Sequence, residues 1–549
     1  MTIKEALNER ILILDGAMGT CIQKFGLTEK DFRGKEFQNH PVMLKGNNDI
    51  LNLTAPQVIA EVHKMYVDAG VDIIETNTFS SNKISQTEYH CEHLVTRLNK
   101  AAAENARRVA DACTDRKIWV AGSIGPTSKT LSLTPDVNHP EYRATDFDTM
   151  ASAYYEQVSA LIDGGVDLLL IETCFDSLNT KSTLYAIQKI NEERGTQIPV
   201  MISATLNDRS GRTLTGQSIE AFYVSIQHYP VISFGLNCSF GAAEMRPFVE
   251  QLSAKLPCCL SFYPNAGLPN EMGEYDELPS TTSAAIKLMA EAGLLNIVGG
   301  CCGTTPAHIK AIHDAVEGIK PRTPQPEGNQ LITSGLEVVV VDKELRNFTN
   351  VGERTNVAGS RKFARLISEK NYEEAASIAR KQIEDGADII DVNMDDAMLD
   401  SAAEMQNFLR YISNDPDIVR AAIMVDSSDW NTILAGLKNA QGRCIVNSIS
   451  LKEGEEKFLQ KAREIHRLGA AVIVVGVDAV DQVAAAVVAV DNPLLLEFEL
   501  AARDGQLALD DLDRADVAGD RAGLDGELAA RHVDAVGVVG LDINDAGSR

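Results

Sequence analysis

Short apolar runs recur along the first 320 residues, with stretches of helical period between them. Eight runs, ILILDG, VDIIETNTF, KIWVAGSIG, VDLLLIETCF, IPVMISATL, VISFGLNCS, CCLSFYPNAG and LNIVGGCCG, are nearly continuous in Val, Ile and Leu. Continuous runs suit strands buried on both faces, and intervening stretches such as QVIAEVHKMYVDAG carry their apolar residues on one helical face. The alternation predicts an α/β chain with a parallel sheet, and the count of eight predicts a (β/α)8 TIM barrel over residues 1–319. The runs end in polar or small residues: Asp15, Asn77, Ser123, Glu172, Thr205, Cys238, Asn265 and the pair Cys301–Cys302. In such a barrel these ends converge on one rim, where active sites form.

A Pro-rich stretch, KPRTPQPEGNQ (320–330), supplies few core contacts and resists helix formation, so residues 320–346 are expected to be a linker. Beyond it FTNVGERTN, ADIIDVNM, AAIMVDSS, CIVNSIS and AAVIVVG alternate again with helical segments such as YEEAASIARKQIEDG. This predicts five-eighths of a second, incomplete TIM-type barrel over 347–475. After Gly476 the composition changes, and residues 477–549 hold no Lys, Cys, Met, Thr, Tyr or Trp. A shifted reading frame, a chimeric junction and an unrelated acidic tail all fit the segment 476–549. Its apolar run QVAAAVVAV (482–490) is able to form a helix, and the Asp-rich part beyond Arg503 is expected to be poorly ordered.

Composition narrows the function classes. Hydrophobic residues at 44% and charged residues at 23% are those of a packed globular chain. A formal charge of -27 repels nucleic acid and anionic lipid, which call for clustered Lys and Arg. The first twenty residues contain a short apolar run broken by Asp15, and no stretch reaches the roughly 20 apolar residues that span a bilayer. The expected location is the cytoplasm, where the ten cysteines would be reduced, buried or metal-bound.

Three of those cysteines stand apart. Cys238 closes the sixth run in GLNCS, and Cys301 and Cys302 close the eighth in GGCCGTT, so all three would reach one rim. Three thiolates leave a fourth zinc position open, as a catalytic site requires. Neighbouring side chains on a regular strand face opposite ways, but Gly299, Gly300 and Gly303 permit a backbone irregular enough to turn both sulfurs inward. A coordinated thiol is deprotonated outright, which would make a substrate thiol nucleophilic at neutral pH. Ordinary burial is the competing explanation for any single cysteine, and it is the one adopted for Cys21, Cys91, Cys113, Cys174, Cys258, Cys259 and Cys444.

GLNCS together with NIVGGCCGTTP resembles the zinc motifs of the homocysteine S-methyltransferase superfamily, and ILDGAMGT and DIIETNTF agree. The second module carries NVGERTNVAGSRKF, DVNMDDAMLD, VDSSDW and IVNSISLKEG in order, which resembles the cobalamin-dependent methionine synthase family from about residue 5 to 475. The resemblance implies zinc on Cys238, Cys301 and Cys302, and the amino group of homocysteine on Asp15 and Glu172, with Asn237 supporting Cys238. It also implies a pterin on Asp426 and Asn447, with Asn393, Ser360 and Arg361 as further candidates, since a carboxylate and an amide match the amino-pyrimidine edge. Helix capping is the competing role for Asp and Asn at strand ends. Methylcobalamin would be the immediate methyl donor and 5-methyltetrahydrofolate the ultimate one. No segment resembles the family's cobalamin-binding or reactivation modules, so cobalamin is expected to be supplied externally.

Three functions therefore compete. The first is methyl transfer from methylcobalamin to zinc-bound homocysteine, giving methionine. The second is a stand-alone homocysteine S-methyltransferase with a sulfonium or betaine donor, for which a second barrel serves no purpose. The third is a non-catalytic homocysteine- or folate-binding fragment.

Overall fold

In a computed structural model of the chain, residues 1–328, 330–342, 345, 348–477, 483–488 and 539–540 are described. They divide into two compact units, the first made of residues 1–135, 143–223 and 229–326 and the second of 136–142, 224–228 and those from 327 on, so the main boundary falls inside the Pro-rich stretch.

The first unit contains an eight-stranded parallel sheet, one strand from each predicted run. Its strands are β1 (Leu12–Ile13), β2 (Ile73–Glu75), β3 (Trp119–Ile124), β4 (Leu168–Cys174), β5 (Val200–Ala204), β6 (Ser233–Cys238), β7 (Cys259–Pro264) and β8 (Ile297–Val298). The order runs β1-β8-β7-β6-β5-β4-β3-β2, and a parallel bridge between Leu14 and Ile73 brings the sheet round to itself. Backbone bonds Asp72 N–H to Ile13 O at 2.8 Å and Asp15 N–H to Ile73 O at 3.1 Å complete that seam. The barrel is thus a TIM barrel, as the count of runs predicts.

Period two along each strand sorts the inward-facing residues. Ile73, Trp119, Ala121, Leu168, Leu170, Met201 and Ile297 fill the lower barrel, and Ile3, Ala6 and Leu7 of the helix Ile3–Glu9 join the same core. That helix begins at a capping box, Thr2 with Glu5, which satisfies two otherwise orphaned donors. Two residues beyond the apolar layer, the same stripes carry Glu75, Ser123, Glu172 and Ser203. The apolar stripe therefore anchors the barrel and aims the polar positions above it.

The second unit holds β9 (Leu331–Ser334) and β10 (Val338–Val341), then β11 (Val351–Asn356), β12 (Ile389–Asn393), β13 (Ala422–Asp426), β14 (Ile445–Ser450), β15 (Ala471–Val477), β16 (Val483–Val488) and β17 (Val539–Gly540). β11 to β15 form the five predicted strands, all parallel. β16 pairs antiparallel with β15 and β17 antiparallel with β16, so residues 483–488 are a strand and not the helix expected over 482–490. Branched Val flanking small Ala suits a pleated neighbour to β15 better than a helix. Apart from β17, the residues beyond Arg503 lie outside the described ones.

A second correction concerns the expected linker, because β9 and β10 form an antiparallel hairpin inside 320–346. Leu331, Val339 and Val341 pack with Ile389, Ala422, Met424, Ile445 and Ala471, the inward residues at the lower end of the sheet. The alternating apolar positions of LITS and VVVV carry this burial, which the neighbouring prolines obscured. Among the described residues no helix is long and apolar enough to cross a membrane.

Candidate active site

The eighth strand stops at Val298, before the cysteine pair, and this early stop allows adjacent residues to share one site. Gly303 follows at φ +78°, a conformation that favours glycine, and a Cβ there would meet Tyr275 at 2.3 Å. Opposite, Cys238 ends β6 at φ +60°, with Ser239 at +66°. Left-handed backbone at a residue with a side chain costs about 1–3 kcal/mol and survives only where its surroundings enforce it. The result is a cluster in which the Cys301 thiol donates to Cys238 Sγ at 3.1 Å and Cys238 and Cys302 sulfurs stand 3.5 Å apart.

All three sulfurs lie within 4.8 Å of one another, and among the described residues they form the one group of three or more potential metal ligands so closely placed. Around a tetrahedral zinc at about 2.3 Å, sulfurs stand about 3.8 Å apart, so a shift of a few tenths of an ångström would seat the ion. The proton balance also fits a cation. Hydrogen bonds from Cys238 and Cys301 pull the Cys302 thiol down to about 3. The Cys301 thiol lowers that of Cys238, but donation to Cys302, burial and the charge of Cys302 outweigh this and push it up to about 12. Cys301 is pushed up by its bonds to Cys238 and Cys302.

Asn237 binds elsewhere than expected. Its Nδ2–H donates toward Cys301 Sγ at 3.8 Å, not to Cys238, its neighbour in sequence. The same amide grips Thr173, itself at φ +56°: Oδ1 accepts Thr173 N–H at 3.0 Å, and Nδ2 donates to Thr173 Oγ1 at 2.8 Å. Asn237 therefore ties the cysteine cluster to the end of β4, where Glu172 sits.

Asp15 and Glu172 are both buried. Asp15 does not cap the helix Met18–Gln23, which has no side-chain cap; its Oδ2 accepts the Glu75 N–H at 3.0 Å, and its Oδ1 has no partner among the described residues. Burial pushes the Asp15 carboxyl up, with the charge of Glu172 adding to it. Glu172 accepts the Ser123 hydroxyl, and burial raises it to about 7, with Ser123 and Glu75 pulling down and Cys302 pushing up. Among these groups no cation balances it. The two carboxyls lie on the same rim as the sulfurs, and the sequence pattern did not single out Glu75 between them. The signal was its place two residues above core-lining Ile73 on one strand face.

In the second unit Asn393, Asp426 and Asn447 stand side by side on β12, β13 and β14, paired in register. Asn393 Nδ2–H donates to Asp426 Oδ2 at 2.9 Å. Capping does not explain Asp426 or Asn447, because the helix Trp430–Leu437 is capped by Asp429 and the turn after β14 by Ser450. Ser360 differs: its hydroxyl caps the helix Arg361–Ser368 by accepting Phe363 N–H at 3.3 Å, and Arg361 is that helix's exposed first residue. Both follow β11, whose last residue Asn356 pairs with Asn393 of the trio. Asp391 lies beside them, buried on β12, and is pushed up to about 8 by burial and then by Asp426, with Asn447 pulling down.

Residues 12–316 match the family described as homocysteine S-methyltransferase, and residues 352–518 match that described as pterin binding enzyme. Among solved structures, the chain is similar to the homocysteine methyltransferase MmuM from Escherichia coli. The oxidized form is 23% identical with a TM-score of 0.44, covering 55% of this chain and 95% of its own. The metallated form is 23% identical with a TM-score of 0.42, covering 57% and 98%.

Proposed function

The chain belongs to the homocysteine S-methyltransferase family, and on that premise we propose that it methylates homocysteine to methionine in the manner of the cobalamin-dependent methionine synthases, in the cytoplasm. It is a methyltransferase by family, with a pterin-binding region after the first barrel. The observation that carries the finer reading is the convergence on one rim of three sulfurs and the carboxyls of Asp15 and Glu172.

Cys238, Cys301 and Cys302 would hold zinc, and Asn237 would steady Cys301 from behind. Zinc, when bound, supplies a substrate thiol that is ionised at neutral pH. Asp15 Oδ1 and the Glu172 carboxyl would bind the ammonium of homocysteine and point its sulfur toward the cysteines. Asp426, Asn447 and Asn393 would receive the amino-pyrimidine edge of 5-methyltetrahydrofolate, the ultimate methyl source, with methylcobalamin as the immediate one. The pterin match favours this over a stand-alone enzyme with a sulfonium donor.

The test is methionine formation by zinc-loaded protein, offered homocysteine with methylcobalamin, S-methylmethionine or betaine in turn. Turnover with methylcobalamin is expected. Turnover only with a sulfonium or betaine would sink the cobalamin reading, and homocysteine binding without turnover on any donor would leave a binding fragment.

A further inference from the structure

The ammonium pocket has a third wall. Glu75 ends β2 on the face that Ile73 presents to the core, so its side chain rises into the barrel mouth while remaining only partly buried. Its N–H donates to Asp15 Oδ2 at 3.0 Å, and its carboxyl is near enough to that of Glu172 for each to act on the other's proton. The groups acting most strongly on these three carboxyls are one another, Ser123 and Cys302, with no Lys or Arg among them. Carboxyls gathered in this way without a cation are costly unless a positive ligand completes them. A ligand is also indicated by Asp15, 2% exposed, whose Oδ1 has no hydrogen-bond partner among the described residues.

An ammonium carries three N–H donors, and Asp15 with Glu172 answers only two of them. We propose that Glu75 is the third carboxyl of this pocket and makes the site selective for thiols that bear an amino group. This rests on the reading that homocysteine is the thiol substrate. The backbone of Glu75 holds Asp15 and its carboxyl neighbours that of Glu172, so Glu75 is the residue through which the two ends of the pocket are coupled.

The experiment compares homocysteine with 4-mercaptobutanoate, which has the same thiol and carboxylate but no amino group, by calorimetry on zinc-loaded protein. The wild type should prefer homocysteine. Glu75→Gln should weaken homocysteine by about 10-fold or more, the usual effect of removing one partner from a charge-assisted hydrogen bond, while 4-mercaptobutanoate stays within about twofold. Zinc content should not change. Glu75→Asp, which keeps the charge one methylene short, should retain more of the preference than Glu75→Gln. If Glu75→Gln does not fold, a partial loss of preference in Glu75→Asp is the expected result. Equal weakening of both ligands, or an undiminished preference in the variants, overturns the proposal while leaving the substrate reading intact. A wild type that binds both thiols alike overturns the ammonium pocket itself, and Glu75's role with it.

Discussion

The two units place polar residues above an apolar floor in the same way, yet their candidate sites depend on the sheet differently. In the first, a helix joins the floor and the sheet returns to itself through Leu14 and Ile73. Its site draws on β2, β4 and β6 and on the chain just past β1 and β8, so it exists only if the circle closes. In the second, a hairpin joins the floor, and the parallel order β11 to β15 continues into antiparallel β16 and β17. Its trio sits on three adjacent strands held in register, which local pairing alone secures. A site spread around a barrel inherits the barrel's closure; one confined to neighbouring strands inherits only their register.

The sharpest way to break this contrast is metal content. Replacing Cys238, Cys301 or Cys302 by Ala should take bound zinc from about one per chain to below about a tenth, and methyl transfer with it, because two sulfurs make a poor site. Asp426→Ala should leave zinc untouched. Full metal in all three cysteine variants, measured by atomic emission on dialysed protein, would refute the assignment.

Next in size is pterin affinity. Asp426→Ala and Asn447→Ala should each weaken 5-methyltetrahydrofolate about 10- to 100-fold, the range for deleting one partner of a charged or paired hydrogen bond in a buried site. Fluorescence titration decides it, and unchanged affinity in both would empty the second site of its proposed role. Ser360→Ala should act on the helix it caps, costing about 1 kcal/mol of stability with little change in affinity.

What the sequence made legible follows from the same geometry. Each parallel strand, β1 to β8 and β11 to β15, showed as an apolar run, and residues at the ends of those runs, Cys238, Glu172 and Asp426 among them, reached the rims. Glu75 and Asp391 did not show, because both sit inside their apolar runs, where a carboxylate reads as an interruption. Extending each core stripe by two residues finds them: Ile73 leads to Glu75, and Ile389 to Asp391. Ser360 and Arg361 belong to a family-like motif in the chain but open a helix, where local capping sets their position. The hairpin was hidden because prolines suggested a linker, while its alternating apolar residues were few.

A smaller effect sharpens the account of Asn237. Its amide reaches Cys301 and the strained Thr173 together, so Asn237→Ala should lower zinc affinity by about 10-fold, as loss of a ligand's outer support does. Asn237→Asp should be worse, since it adds a charge beside the sulfurs and removes the donor. Equal zinc affinity in a chelator competition for wild type and Asn237→Ala would show that the cysteines hold their geometry unaided.

The pH dependence of the second unit's stability has a definite sign. Asp391 is raised to about 8 by burial, then by Asp426, against a pull from Asn447. An unfolded carboxyl titrates near about 4, so between there and about 8 the folded chain keeps a proton that the unfolded chain has released. The unfolded state binds fewer protons across that window; stability therefore falls as pH rises through it and levels off above about 8. The slope is at most about 1.4 kcal/mol per pH unit. Asp391→Asn cannot ionise, so its stability should gain on the wild type as pH goes from 5 to 8. The chain's two tryptophans separate the units, Trp119 lying on β3 and Trp430 opening a helix of the second. In a Trp119→Phe background, urea unfolding followed at Trp430 should show the steeper pH profile for Asp391 and the flatter one for Asn. Followed at Trp119 in a Trp430→Phe background, the two should coincide. Parallel profiles at Trp430 would mean that Asp391 keeps its charge when folded, and that a positive group reaches it.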